Sequence, residues 1–343
     1  MNNKYAGGSF KATIIALCSA VIITIVLLAV SSDSPIKSIL FFFSGPLTNT
    51  YNLGNMLDKA GLLIIAGLGM SIAFRAGVFN LGGEGQVYAG AMAAVIVALN
   101  IDPSNRFAGI FTVVLAGVLS GAFLAGISGY LKSKFNTDEL ISSFLISGIT
   151  IHLVDYLITN PFRDKNSFLS STDKIPVNLF LKQISGNSHL NISFILALIS
   201  TVIAFIFIFK TALGYEIRLS GLNRKFSEYG GIPVKKHYIV PMLISGAMYG
   251  AAGSFAALGN FHMGIKGFTN GLGWNGIAVA LIAANNPAFI IPGALIFAYL
   301  DAGTQIAMIH SDLSFEFSNL IRAVIFFLIT AKRFNCRKAG SLD

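Results

Sequence analysis

The chain has 343 residues, of which 54% are hydrophobic and only 11% charged, and it carries a formal net charge of +9. Soluble proteins carry roughly 25% charged residues, so a water-soluble globular class is excluded, and at about 20 residues per span the length allows roughly ten membrane crossings with no sizeable soluble domain. The basic balance does not point to nucleic acid, because the lysines and arginines are spread over loops flanking apolar runs, where they set topology.

In chain order, apolar runs predict spans near 12–30, 57–74, 85–100, 107–131, 140–158, 190–209, 238–258, 274–286, 288–303 and 316–331. Lys4 and Lys11 precede the first. It is too long for a typical signal segment, no clean small-residue cleavage site follows, and it reads as a span. Cys18 sits inside it and Cys336 in the basic tail, which makes a disulfide implausible. The run at 274–286 is short, ends at Asn285-Asn286-Pro287 and resumes at Ala288, as two short helices or one broken one, so nine to eleven spans are open. With both termini inside, most Lys and Arg fall on the inner side: the N-terminus, Arg75, Lys132, Lys134, the 210–237 loop and the tail. The 159–189 loop, placed outside, runs against this with Arg163, Lys165, Lys174 and Lys182. Small residues four apart, such as Gly117, Gly121 and Ala125, predict close helix approach.

The polar run Arg75-Ala76-Gly77-Val78-Phe79-Asn80-Leu81-Gly82-Gly83-Glu84-Gly85-Gln86 lies between the second and third spans. Irregular polar chain at membrane depth is tolerated only when buried in protein or lining a wet path, which points to transport. Asn80 and Gln86 offer donors and acceptors suited to a neutral polar solute. Glu84 is a solute contact, a partner for Arg75, or an acceptor for helix N-termini, the last favoured because buried carboxylates are usually paired. Phe79, Tyr88 and Trp274 are candidates for stacking on a flat ring, although each alone is more often packing.

The inner loop from Gly214 to Ile232 alternates acids and bases with Leu222, Phe226 and Tyr229 at helical spacing. It predicts an amphipathic helix, capped by Ser220 or Asn223, whose apolar stripe needs a cover: the bilayer surface or a cytoplasmic partner. Further on, glycines precede a short span containing Trp274, an interface anchor, and Asn275, which faces the pathway or caps its helix.

The sequence holds no Gly-x-x-x-x-Gly-Lys-Ser/Thr run, so an ATP-binding loop of that type is excluded. Asp155, Asp301 and Arg322 are ionisable groups close to span ends, where an ion-coupled carrier more often shows central acids. No Ser/His/Asp set and no metal-ligand spacing appears, and the five histidines are scattered, which argues against an enzyme.

The 75–86 run resembles the signature of the permease subunits of bacterial ABC importers, and more narrowly of the nucleoside (purine-type) permeases grouped with ribose and branched-chain amino-acid permeases. Arg218, Gly221, Asn223, Tyr229, Gly231 and Ile232 resemble that family's coupling helix, and Gly276–Leu281 with Asn286-Pro287 its late segment. Lys225-Phe226-Ser227 stands where the family usually has small alanines, and Ala283-Ala284 where it usually bears glycine. The resemblance implies an all-α type II importer fold of about ten transmembrane helices, a single permease domain over 1–343 with a cytoplasmic coupling loop at 210–237, in a bacterial cytoplasmic membrane. It implies a second related permease chain, a cytoplasmic ATPase on the 214–232 loop, and an external substrate-binding (lipo)protein. ATP would be used by the partner, with no cofactor in this chain. The expected function is inward movement of nucleosides by alternating access. Solute would pass Phe79, Asn80, Glu84, Gln86, Trp274 and Asn275. Arg218 and Glu228 would hold the ATPase by charge, and Phe226 and Tyr229 would enter an apolar cleft. A sugar or branched-chain amino-acid permease is the alternative within the group, and an ion-coupled secondary carrier the alternative of another class.

Overall fold

The computed structural model describes residues 3–102, 105–310, 319–321, 323–324 and 327–328. The expected span at 316–331, and Arg322 within it, lie outside the described residues apart from those short pieces. The first helix, α1 (Asn3–Ser31), is followed by a short α2 (Pro35–Ser44), which starts on a proline whose missing N–H costs a helix nothing at that position. Next come α3 (Thr50–Arg75), α4 (Gly83–Asn100), α5 (Arg106–Phe135) and α6 (Glu139–Thr159). Then follow α7 (Ser193–Lys210), α8 (Ala212–Leu222), α9 (Arg224–Tyr229), α10 (Lys236–Ala256), α11 (Leu272–Ile282) and α12 (Pro287–Ile309). A π-turn, Ala257–Phe261, extends α10.

Polar residues at the heads of these helices satisfy donors that a helix leaves open. Asn49 accepts from the Asn52 N–H for α3, Asn105 from Phe107 for α5, Asp138 from Leu140 for α6, and Asn286 from Ala288 for α12. Asn286 also settles the open question at 283–286. Ala284 and Asn285 adopt left-handed backbone (φ 49° and 58°), and α11 and α12 are two helices.

Among the described residues, six helices are long and apolar enough to cross a membrane: α3, α5, α6, α7, α10 with its π-turn, and α12. They correspond to the spans expected at 57–74, 107–131, 140–158, 190–209, 238–258 and 288–303. The run at 274–286 shrinks to the eleven residues of α11, about 16 Å at 1.5 Å per residue, half a bilayer core.

The helices form layers. The apolar window of α3 is 83% buried and that of α5 only 22%, which puts α3 in the core and α5 on the outside. On α5, Phe107, Phe111, Leu115, Leu119 and Phe123, each four residues on from the last, stand exposed as one ridge. In water such a ridge would be a liability; in a bilayer it is the lipid-facing side. Behind it α5 packs on α10 through glycine: a Cβ on Gly121 would sit 2.2 Å from the Gly246 carbonyl oxygen.

At one end the 160–192 segment folds back over the tail of α10, with Ile175 N–H donating to His262 O and Leu181 N–H to Leu258 O. At the other end lie the α3–α4 connection, the α5–α6 turn, α8 and α9, and the α11–α12 break. The contacts of Arg75, Lys132, Arg218 and Arg224 gather these basic residues there.

Candidate functional site

Between α3 and α4 the chain leaves helical geometry for seven residues, 76–82, and each exposed backbone donor has to find a partner inside the protein. Leu81 N–H donates to Ser143 Oγ at 3.0 Å and, in the first turn of α4, Gly85 N–H to Ser147 Oγ at 2.9 Å, so α6 serves this stretch and the start of α4 from the side. Asn80 is fully buried. Its Nδ2 donates to Gln86 Oε1 (2.8 Å) and Ser245 Oγ (3.0 Å), and its Oδ1 accepts from Gln86 Nε2 (2.9 Å) and Gly82 N–H (3.0 Å). The two amides thus form a closed knot that holds the turn into α4.

Glu84, in the first turn of α4, accepts from Gly271 N–H on Oε1 (3.0 Å) and Gly273 N–H on Oε2 (2.8 Å). One carboxylate therefore stands at the N-terminal ends of two helices, α4 and α11, where both dipoles favour negative charge. The approach is as close as backbone permits: a Cβ on Gly273 would lie 2.2 Å from the Glu84 nitrogen. Arg75 is not the partner of Glu84. Its Nε donates to the Asn285 carbonyl, and its guanidinium sits 4.8 Å from the Phe209 ring centre.

A cavity of about 510 Å³ opens between α3, the π-turn, the 268–275 segment and α12. Asp58, Lys59, Asn260, Phe261, Phe268 and Asn275 are among its lining residues, with further amides from Asn55, Asn270 and Gln305. Asn275 is the member of the expected pathway set that reaches this cavity. It lies inside α11, whose first donors Glu84 already serves, so it is not a helix cap. The other five do not line the cavity. Asn80 and Gln86 are consumed by their knot, Glu84 by α11, Phe79 packs edge-on to Phe74 (5.1 Å), and Trp274 lies 6.1 Å from Phe144. The physical reason is the same for the polar three. At membrane depth, unpaired polar groups are expensive, and irregular backbone next to them supplies partners.

The 214–232 segment is two helices and not one. Asn223 is extended (φ −152°, ψ 102°), ends α8 and caps α9 by accepting from Phe226 N–H at 3.1 Å. Ser220 is buried and caps nothing. Leu222, Phe226 and Tyr229 are 76%, 61% and 92% exposed, with Glu228 exposed beside them, so the apolar stripe does face outward. Arg218 does not join that face: its Nε points to Gly214 O and its guanidinium lies 5.2 Å from the Phe209 ring centre. Gly221 has a tight role, since a Cβ there would fall 2.1 Å from Arg75 O. Gly231 has φ 77°, in the left-handed region after α9.

The family described as branched-chain amino acid transport system / permease component matches residues 52–330. The chain belongs to that family. This permease is 32% identical over 295 residues to the guanosine ABC transporter permease protein NupP of Bacillus subtilis (strain 168), covering 84% of each chain. It is 30% identical over 344 residues to the nucleoside ABC transporter permease protein NupB of Lactococcus lactis subsp. cremoris (strain MG1363), covering 97% of this chain and 93% of that one. It is 32% identical over 326 residues to the probable riboflavin import permease protein RfuC of Treponema pallidum (strain Nichols), covering 93% and 83%. With its apolar helices, family membership makes the permease a multi-pass membrane protein.

Sequence reasoning missed the charged part of the cavity. Asp58 accepts from Asn191 Nδ2 (2.9 Å) and from Asn260 Nδ2, and Lys59 pairs with Asp301, which Gln305 also meets at 2.7 Å. The available signal was two adjacent ionisable residues, Asp58-Lys59, just inside a predicted span.

Proposed function

We propose that this permease is the membrane subunit of an ABC importer that carries nucleosides, purine ones foremost, inward across the bacterial cytoplasmic membrane. The cavity carries the reading. Its volume suits a solute of nucleoside size, within the roughly 300–1,000 Å³ of small-molecule sites. Its wall of amides beside Phe261 and Phe268 matches a flat, neutral, polar solute, and Lys59 is occupied by Asp301. The guanosine and nucleoside permeases named above support the same class.

In the proposed cycle both termini and the basic end are cytoplasmic, in keeping with the excess of Lys and Arg there. A separate ATPase docks on α8–α9, where Phe226, Tyr229 and Glu228 form the contact and Arg218, Gly221, Asn223 and Gly231 shape the loop. ATP is consumed by that partner. A second related permease chain completes the pathway, and an external substrate-binding (lipo)protein delivers solute to the cavity end. Solute meets Asn275 first. Glu84 holds α11 in place behind it, and the knot of Asn80 and Gln86, with Phe79 and Trp274, lies between the cavity and the coupling loop and rearranges when the path opens inward. A flavin is also flat and polar, and the RfuC relative makes riboflavin the second reading.

Uptake of labelled guanosine and adenosine by cells with and without this permease tests the proposal, with unlabelled ribose, leucine and riboflavin as competitors. Nucleoside uptake that depends on the permease and resists all three competitors is the expected result. Competition by one of them reassigns the solute. Collapse by an ionophore with cellular ATP intact reassigns the transporter class.

A further inference from the structure

Asp58 is 3% exposed, sits on a membrane-spanning helix, and among the described residues has no Lys or Arg within ion-pair distance. Its neighbour Lys59 is committed to Asp301. A carboxylate so placed is costly, and in membrane proteins such groups mark solute paths. What holds Asp58 is a bracket of two amides, Asn191 on Oδ1 and Asn260 on Oδ2. The bracket is itself fixed. Ser193 N–H donates to Asn191 Oδ1 at 3.0 Å, which leaves Asn191 Nδ2 to face Asp58 and Asn260 Oδ1. Asn260 comes from the π-turn, whose wider winding sets both Asn260 and Phe261 on the cavity wall.

A carboxylate has about four acceptor positions, and the bracket fills one on each oxygen. The remaining two belong to a side chain that lines the cavity next to Asn55 and Asn275. The geometry points to Asp58 as the specificity-determining residue of the cavity, reading a pair of adjacent hydrogen-bond donors on the solute. Two parts of a nucleoside carry such a pair: the vicinal hydroxyls of the ribose, and the neighbouring N–H groups on the edge of a guanine-type base. The edge-on pair Phe261 and Phe268, 5.1 Å apart, supplies an apolar surface for the ring. This inference rests on the nucleoside reading above.

The test is competition against labelled guanosine uptake in cells carrying the complete transporter. The competitors are unlabelled guanosine, 2′,3′-dideoxyguanosine, which lacks the diol, and inosine, which lacks the 2-amino group. The transporters compared are wild type, Asp58→Asn and Asp58→Glu, with permease in the membrane followed by immunoblot. Wild type is expected to discriminate against one analogue by about tenfold or more, the loss a charged acceptor shows when at least one donor goes. Loss of the dideoxy analogue assigns the diol, and loss of inosine the base edge. Asp58→Asn, which keeps the shape but replaces one acceptor by a donor, is expected to reduce that ratio several-fold, and Asp58→Glu to alter it. Discrimination by an external binding protein does not depend on Asp58, so the difference between wild type and variants is the readout. Equal competition by all three compounds in wild type, or an unchanged ratio in both variants, overturns the inference while guanosine uptake stands. Absence of any permease-dependent nucleoside uptake overturns the substrate reading, and this inference with it.

Discussion

Arg224, at the head of α9, donates through Nη2 to the carbonyl of Gly77 at 2.7 Å. The same guanidinium donates to Tyr238 Oη at 3.0 Å and lies 4.4 Å from that ring's centre. Gly77 has φ 68°, and a Cβ there would come within 3.2 Å of Gly221 Cα, so the end of α3 and the end of α8 touch through backbone. One side chain thus joins α9, the α3–α4 connection and α10.

This joint predicts that Arg224→Ala lowers uptake while leaving ATPase attached. Arg224→Lys is expected to fall close to Ala, because an ammonium cannot make the planar fork and ring stack together. Co-purification of the ATPase, measured beside uptake, checks it: joint loss of both would make Arg224 a docking residue and not a transmitter.

Docking is predicted to lie with the exposed stripe. Glu228→Ala with Tyr229→Ala is expected to separate ATPase from permease without changing the amount of permease in the membrane. Retained co-purification and transport would exclude this face.

Glu84→Gln is expected to cost about 1–3 kcal/mol, the penalty for a buried donor left without its acceptor. Glutamine keeps one acceptor for the Gly271 and Gly273 N–H groups and turns an amide donor towards the other. A lowered melting temperature of the purified permease in detergent is the measurement; an unchanged one would mean that water replaces the carboxylate.

Gly250→Val tests the α5–α10 seam. Its Cβ would stand 2.1 Å from the Gly117 carbonyl oxygen, with backbone on both sides and no flexible side chain to move away. Overpacking of this kind costs about 1–3 kcal/mol. Gly148, where a Cβ meets nothing within 4 Å, is the control, and Gly148→Ala is expected to melt like wild type.

His262, outside the membrane-spanning helices, stacks on Phe180 with ring centres 3.7 Å apart. Burial holds its pKa below the ordinary histidine value, with His189 and Lys174 acting in the same direction. The folded state then binds fewer protons than the unfolded one. Stability is complete above the ordinary histidine value and declines as pH falls from there towards the lowered pKa. Melting curves over pH 5–8 are expected to show a steeper acid loss in wild type than in His262→Gln, and parallel curves would remove His262 from the account.

Composition and the long apolar runs were enough to exclude a water-soluble fold and establish an integral membrane protein, because charge that scarce and apolar runs that long have no soluble solution. Apolar run length placed the six long apolar helices for the same reason: lipid demands about twenty apolar residues in a row, and that demand is written locally. The run 75–86 also announced itself locally, as polar chain where lipid tolerates none, and so did the exposed stripe of Leu222, Phe226 and Tyr229. What each residue touches was decided by tertiary structure. Glu84 had three possible partners in sequence and finds Gly271 and Gly273, nearly 190 positions away, only because α4 and α11 meet end to end. Asn80 and Gln86 offer free donors and acceptors in the sequence, and only folding pairs the two amides with each other. Asp58 and Lys59 look like a span edge until Asn191, Asn260 and Asp301 arrive from three other parts of the chain. Hydropathy is a sum over neighbours in sequence, so it sees spans; hydrogen-bond partners are neighbours in space, and helix packing alone brings them together.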